Sequence, residues 1–312
     1  TRWLKDYNQQ VEATEGVVSI YGLDLYNIYR SIDMVVDYLN YLDPEAADAA
    51  RWYYSCMKRW SRDPSQYSSV MNGRMMRSRN DTGCSAGVSA VLNILQKNKT
   101  AYSVIDKQAY FNAEQNARLV VNGERYFRTL YHEENTSWNQ RDSNMLESLN
   151  AILQHHPAEK VIIWAHNSHI GDARAVQIAH AGKHNLGQLV RETFDDDSYH
   201  IGFGTDHGTV AAAATWKGPM AIMQVPSSHK DSYEYLFHQA KHDNFLLPLR
   251  QPDNADLTER LMTKRMQRAI GVTYDPVNEV ERHYYHALLP YQFDEYIWFD
   301  ETHAVKPLSQ SN

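Results

Sequence analysis

Short apolar runs alternate with amphipathic segments along this chain, and this alternation restricts the fold more than any other feature. Residues 17–24 have the pattern of a buried strand that ends in Asp24, and residues 160–165 have the same pattern just before His166. Further strands are expected at 199–204, 245–249, 269–274 and 296–299, with helical patterns between several of them. Strands that alternate with helices indicate βαβ units. We therefore predict an α/β fold with a mostly parallel central sheet flanked by helices.

A long helical region interrupts this alternation. Residues 106–132 and 139–155 carry apolar side chains at helical spacing, which predicts a helical hairpin. We expect residues 84–156 to be mainly helical and to form an insertion within one α/β domain that spans residues 1–307. The polar residues 61–83 have the composition of a long loop, and residues 308–312 that of a disordered tail.

The composition excludes several classes of function. A net charge of −7 argues against nucleic acid as a partner, because nucleic-acid binding requires a basic face. The apolar runs are too short to span a bilayer, so a membrane is not an expected partner either. Two cysteines give no disulfide framework and no metal-binding pair, which favours a location in the reducing cytoplasm. The oligomeric state is not indicated.

Two histidines follow the predicted strand at 160–165. His166 comes directly after it, and His169 lies three residues later, on the same side if a helical turn begins at Asn167. Ligands of α/β sheets bind outside the carboxyl ends of the strands. Two imidazoles there can act as acid and base, or as two ligands of a metal. A single histidine at a strand end is more often structural, whereas the pair favours function.

A second candidate group follows the first predicted strand. Asp24 would lie at the same sheet edge as His166, where it could orient a histidine, contact a substrate hydroxyl or cap the next helix. Tyr26 follows closely, and Arg30 lies on that helix. The arginine could bind a substrate carboxylate, although a surface salt bridge is the more common role.

A third cluster precedes the last predicted strand, at residues 283–286. Alternation places His283 and Tyr285 on one face and His286 on the other, so that one of the two faces can reach a pocket. The chain has no G-x-S-x-G elbow, no Walker loop and no G-x-G-x-x-G loop after a strand. Covalent serine catalysis and nucleotide binding therefore have no sequence signal.

Residues 164–169, with the sequence WAHNSH, resemble the W-A-H-N-x-H signature of erythromycin-esterase-like proteins. Segments 21–26, 116–118, 137–142, 171–174, 185–189 and 268–272 follow in the order that this family shows, so the resemblance covers about residues 3 to 307. It implies a hydrolase without a cofactor that opens a macrolide lactone, or a related small-molecule ester, by histidine-assisted attack of water. His166 and His169 match the family's histidine pair.

The chain departs from the family pattern in one respect. Family members carry an upstream His-Gly segment with an acidic residue, which holds the general base, and nothing in these 312 residues matches it. The expectation is therefore an N-terminally truncated copy that hydrolyses macrolides poorly or not at all by itself and is active once the upstream segment is restored. Two alternatives stay open: a metal-dependent hydrolase with His166 and His169 as ligands of a divalent ion, and a non-catalytic accessory protein.

Overall fold

The computed structural model describes residues 2–11, 16–75, 82–131, 134–157, 160–177, 182–250 and 254–306. Helices make up most of the first half of this part of the chain, and further helices lie in the second half. They are α1 (Arg2–Gln10), α2 (Ile28–Leu42), α3 (Pro44–Lys58), α4 (Pro64–Met75), α5 (Ser85–Lys97), α6 (Lys99–Ile105), α7 (Lys107–Thr129), α8 (Glu134–His155), α9 (Asn167–Ile170), α10 (Leu186–Phe194), α11 (Tyr233–His238), α12 (Ala255–Leu261), α13 (Glu279–His283) and α14 (Leu289–Gln292).

The strands of the described chain all lie in its second half. They are β1 (Ile201–Ala213), β2 (Met220–Val225), β3 (Asn244–Pro248), β4 (Arg265–Arg268), β5 (Tyr284–Ala287) and β6 (Glu295–Thr302). Four form a sheet in the order β2-β1-β6-β3, and β4 pairs with β5. Only β1 and β6 run parallel to each other; the other pairs are antiparallel. The prediction of an α/β protein is confirmed in the form of a mixed sheet, and a mostly parallel sheet is not found among the described residues.

The helical half is built around α2 and α7. Ile28, Ile32, Val35 and Leu39 recur at helical spacing on α2 and are fully buried. They pack against α3 and α7, and α7 in turn contacts α5 and α8. Asp43 begins α3 by accepting a hydrogen bond from the Ala46 amide. Residues 84–156 thus contain α5 to α8, whereas residues 308–312 lie outside the described part of the chain.

Residues 17–24 and 160–165 belong to no strand of the described sheets, so both strand predictions were wrong. Leu23 and Ile163 are partly buried against a cluster with α8 and α10, while Ile20, Ile162 and Trp164 are exposed. The apolar composition of these segments therefore indicated neither a buried strand nor a backbone partner.

The two cysteines form a disulfide, contrary to the sequence-based expectation. Cys56 in α3 and Cys84, the residue before α5, have Cα atoms 5.7 Å apart and are bonded through their sulfurs. The expectation failed because two cysteines 28 residues apart carry no pairing pattern, and the packing of α3 against α5 brings them together. Disulfides are rare in cytosolic proteins, and location in the cytoplasm stays a prediction. No helix in the described ranges has the length and apolar character needed to cross a bilayer.

The sheet packs around two aromatic residues of β6. Tyr296 and Trp298 are almost completely buried, together with Tyr233 and Phe237 of α11. Gly204 of β1 lies under the Tyr296 ring, where a Cβ atom would overlap the ring atoms. This packing fixes β1, β6 and α11 relative to one another.

Candidate active site

The short helix α9 places His169 against α8. Its Nδ1–H donates to both carboxylate oxygens of Asp142, at 2.9 and 3.1 Å. Asp142 is fully buried and also accepts the Leu186 amide at the start of α10, at 2.8 Å. The Trp138 ring stacks on the imidazole with centroids 5.0 Å apart. The imidazole is therefore held in one orientation with Nε2 as the unprotonated nitrogen.

Arg141 lies beside that free nitrogen. Its Nη1 is 3.4 Å from His169 Nε2, while Nε and Nη2 donate to the two oxygens of Asp24, at 3.0 and 2.6 Å. The guanidinium also lies over the Tyr26 ring, 4.9 Å from its centroid. Burial lowers the pKa of Arg141, but the hydrogen bonds and charge of Asp24 raise it more, so the net pKa is raised. Asp24 and Tyr26 thus fix a permanent cation with Nη1 facing the imidazole.

Asp24 therefore does not act as a helix cap. Helix α2 begins at Ile28, four residues after Asp24. Its N-cap residue is Asn27, whose side chain makes no capping hydrogen bond. The Tyr26 hydroxyl instead contacts the Tyr126 hydroxyl at 3.0 Å. The capping alternative is replaced by a bidentate ion pair with Arg141.

His166 stands at the N-terminus of α9 with both ring nitrogens engaged. Nδ1 accepts from the Ser168 amide at 3.2 Å and lies 2.8 Å from its hydroxyl, so Nε2–H donates to the Ile270 carbonyl at 2.9 Å. Protein atoms displace water from around the ring and lower the pKa of His166; the nearby His169 lowers it further, and the Ile270 carbonyl opposes both effects. Both ring nitrogens of His166 thus hold the turn of α9, and its assignment as a catalytic residue stays a prediction.

Asn167 and Asn185 attach this turn to the rest of the fold. The side-chain Nδ2–H of Asn167 donates to the Phe203 carbonyl of β1 at 2.6 Å, and its Oδ1 accepts the backbone N–H of Phe203 at 3.2 Å. The Asn185 amide donates to the carbonyls of Ser168 and Gly171 on the other side. The helix that carries His169 is thus fixed at both ends, which preorganises the imidazole.

Four other predicted site residues have no described contact with the Asp142–His169 pair. Arg30 is exposed on α2, and His286 is exposed on β5. His283 accepts the Asp275 amide at 2.9 Å and faces the Ala269 carbonyl, which is a structural role. The Tyr285 hydroxyl accepts from the Gln292 amide at 3.3 Å, and burial raises the pKa of Tyr285 to about 12. Their proposed contact with a substrate stays a prediction.

Three residues of α8 were not identified as site residues from the sequence. Trp138, Arg141 and Asp142 all lie in the segment 137–142 that contributed to the family resemblance. Their spacing of three and four residues puts them close together on the helix surface. A tryptophan followed by an arginine and an aspartate at that spacing was the signal that could have identified them.

The arrangement can perform acid–base chemistry. A buried carboxylate that holds one imidazole nitrogen leaves the other nitrogen free to take a proton. A fixed cation beside it can stabilise an oxyanion. By contrast, no third His, Cys, Asp or Glu among the described residues lies close enough to His166 and His169 to complete a metal site.

Comparisons with known proteins identify the family of this chain. A family model described as erythromycin esterase matches residues 1–302. Among solved structures, a succinoglycan biosynthesis protein aligns with a TM-score of 0.75 at 18% identity, over 97% of this chain and 69% of its own. A protein from Bacillus cereus aligns with a TM-score of 0.75 at 19% identity, over 97% and 70%. A mutant of the erythromycin esterase EreC in its open conformation aligns with a TM-score of 0.64 at 15% identity, over 96% and 72%.

Structural likeness at these identities shows a shared fold alone. The family model covers nearly the whole chain and therefore carries the assignment. This chain belongs to the erythromycin esterase family.

Proposed function

We propose that this protein hydrolyses a carboxylic ester of a small molecule, with a macrolide lactone as the substrate to test first. The observation that carries the proposal is the contact between His169 and the fully buried Asp142, which leaves Nε2 unprotonated beside Arg141. Membership of the erythromycin esterase family supports a hydrolase.

The proposed reaction is a direct attack of water. His169 Nε2 takes a proton from the water while its oxygen bonds to the ester carbonyl carbon. Arg141 Nη1 donates to the oxyanion that forms, because Nε and Nη2 are already bound to Asp24. The tetrahedral intermediate then breaks its bond to the alkoxide oxygen, which takes the proton back from His169. A positioned base contributes ~10²–10⁴-fold to such a rate.

Asp142 stabilises the imidazolium that forms halfway through this cycle. Its carboxylate is fully buried and keeps two hydrogen bonds throughout, one from His169 and one from the Leu186 amide. No proton transfer to Asp142 is required. Its role is to hold the tautomer and to balance the transient positive charge.

The metal-dependent alternative requires imidazole nitrogens that already form hydrogen bonds to other groups of the protein. His166 uses Nδ1 for Ser168 and Nε2 for the Ile270 carbonyl, and His169 uses Nδ1 for Asp142. Binding of one ion by both rings would break the His166 contacts. We therefore favour a reaction that is insensitive to chelators.

Turnover of an ester panel that includes a macrolide tests the proposal. The product should gain the mass of one water, and a chelator should leave the rate unchanged. His169→Gln should lower the rate by ~10²–10⁴-fold, while His303→Gln, at an exposed histidine near the end of the described chain, should not change it. Each rate is expressed as a ratio to the rate of the unmodified chain. Absence of turnover on every ester would favour the non-catalytic alternative.

A further inference from the structure

A second group of polar side chains lies on β1, β6 and α11, with no residue in common with the candidate active site. Asp206 of β1 and Asp300 of β6 belong to adjacent parallel strands, between the paired positions Thr205–Phe299 and His207–Glu301. Their carboxylates converge on His238, the last residue of α11. The ligand atoms of these three residues all lie within 4.8 Å of one another.

The His238 ring bridges the two carboxylates through one nitrogen. Nδ1 lies 2.7 Å from Asp300 Oδ1 and 3.7 Å from Asp206 Oδ2. Two carboxylates at neighbouring positions of adjacent strands repel each other, so a positive charge between them is stabilising. An ion with ligand bonds of about 2.0–2.2 Å holds its donor atoms roughly 3.4 Å apart in a tetrahedral site. His238 Nδ1 and Asp300 Oδ1 would therefore have to separate by about 0.7 Å to admit one.

Asp206 is held like a metal ligand. Its Oδ1 accepts both the amide and the hydroxyl of Ser228, and its Oδ2 accepts His207 Nδ1–H at 3.0 Å. Outer hydrogen bonds of this kind orient the ligating carboxylates of metal sites. They are also unusual for an ordinary surface ion pair, because the Asp206 side chain is only 1% exposed.

The remaining side of the group is open to solvent. The side chains of His238 and Asp300 are 38% and 19% exposed, so water can reach the centre. One imidazole and two carboxylates with an open position are the donor set of zinc and related first-row divalent ions. We propose that Asp206, His238 and Asp300 form a binding site for a divalent transition-metal ion, with water as the fourth ligand.

Titration of the metal-stripped chain with Zn²⁺ tests this proposal. The experiment is done at about pH 8, where free imidazole is neutral. One equivalent of Zn²⁺ should bind, and His238→Gln and Asp300→Asn should each weaken binding by at least ~10-fold. His229→Gln is the matched control, because His229 is also partly exposed and lies 3.8 Å from a single carboxylate. It should bind Zn²⁺ as the unmodified chain does.

Crystals soaked in Zn²⁺ provide a second readout that does not depend on the variants. An anomalous peak between Asp206, His238 and Asp300 is expected. The proposal is overturned if the unmodified chain binds no stoichiometric Zn²⁺, if both ligand variants bind as tightly as the control, or if the peak lies elsewhere. In each of those cases His238 is simply the charged partner of the two carboxylates. His169→Gln should keep the metal, which separates this site from the proposed esterase function.

Discussion

Replacement of Asp142 by asparagine removes one negative charge from beneath His169 with almost no change in shape. The carboxylate accepts from two donors, His169 Nδ1 and the Leu186 amide. The Leu186 amide and the shorter His169 contact both use Oδ2, at 2.8 and 2.9 Å, so an asparagine oxygen in that place can keep both bonds. The asparagine NH₂ then replaces the oxygen that lies 3.1 Å from His169 Nδ1, and the negative charge that stabilises the imidazolium is lost.

The expected loss follows from this loss of charge. Without a carboxylate to stabilise the imidazolium, the rate of ester hydrolysis should fall by ~10²–10⁴-fold, which is about 3–5 kcal/mol of lost transition-state stabilisation at 1.36 kcal/mol per tenfold. KM should change little, because Asp142 is buried behind His169 and has no exposed surface for a substrate. The assay compares kcat and KM of Asp142→Asn and the unmodified chain on the best ester of the panel.

The matched control is Asp43→Asn. Asp43 also accepts a backbone amide and a side-chain donor, from Ala46 and Tyr102, but it caps α3 in the helical half. Its replacement should lower the free energy of unfolding by about 1 kcal/mol and leave kcat unchanged. An unchanged kcat in Asp142→Asn, or equal losses in both variants, would refute the role assigned to Asp142.

Three further predictions concern stability. The double change Cys56→Ser and Cys84→Ser should lower the free energy of unfolding by about 3–4 kcal/mol, because the disulfide spans 28 residues. Urea unfolding measures this loss, and an unchanged urea midpoint would contradict the pairing. Gly208→Ala should destabilise the fold more than Gly182→Ala. Both glycines have positive φ, at 130° and 75°, which costs an alanine about 1–2 kcal/mol. Only at Gly208 does the added Cβ also overlap the backbone of β6. Thermal melts that rank them in the opposite order would refute the contact. Burial and a nearby arginine lower the pKa of His200, so below pH ~6.5 the unfolded chain takes up a proton that the folded chain does not, and stability falls. His200→Phe should therefore lose less stability than the unmodified chain between pH values of about 7.5 and 5.5, and equal losses would show that another group titrates.

The sequence predicted long elements well where burial follows a regular period. The helices α7 and α8 and the strands β3 and β6 lie within a few residues of their predicted positions. Each of these elements buries one face against a neighbour, so its own pattern is sufficient. Residues 61–83 were predicted as a loop, and this was wrong because they contain α4, which packs on α7. The polar composition of α4 gave no helical pattern of apolar residues.

Strand pairing was the part of the fold that could not be predicted. Residues 17–24, 160–165 and 269–274 have the composition of strands, but only Thr273 makes an isolated bridge, to Ala213. Alternating side chains describe the burial of a face, while the backbone partner depends on chain that is distant in sequence. No local sequence feature therefore indicated which strands pair or whether they run parallel or antiparallel.

The candidate site was predicted in part for the same reason. His166, His169 and Asp24 were identified because each follows an apolar run. Asp142 and Arg141 were not, because they sit 27 and 117 positions from the partners that give them a role, His169 and Asp24. A buried charge becomes interpretable only when the residue that pairs with it is known.

Chemical rescue tests the central claim, that His169 is the base of an ester hydrolase, most directly. His169→Ala leaves a space beside the Trp138 ring, against which the native imidazole stacks. Added imidazole should bind there and restore ester hydrolysis in proportion to its free-base concentration, and the Asp142→Asn change in the same chain should weaken the rescue. A folded His169→Ala protein whose residual rate does not respond to imidazole would contradict the account, as would an unmodified chain whose ester hydrolysis does not depend on His169.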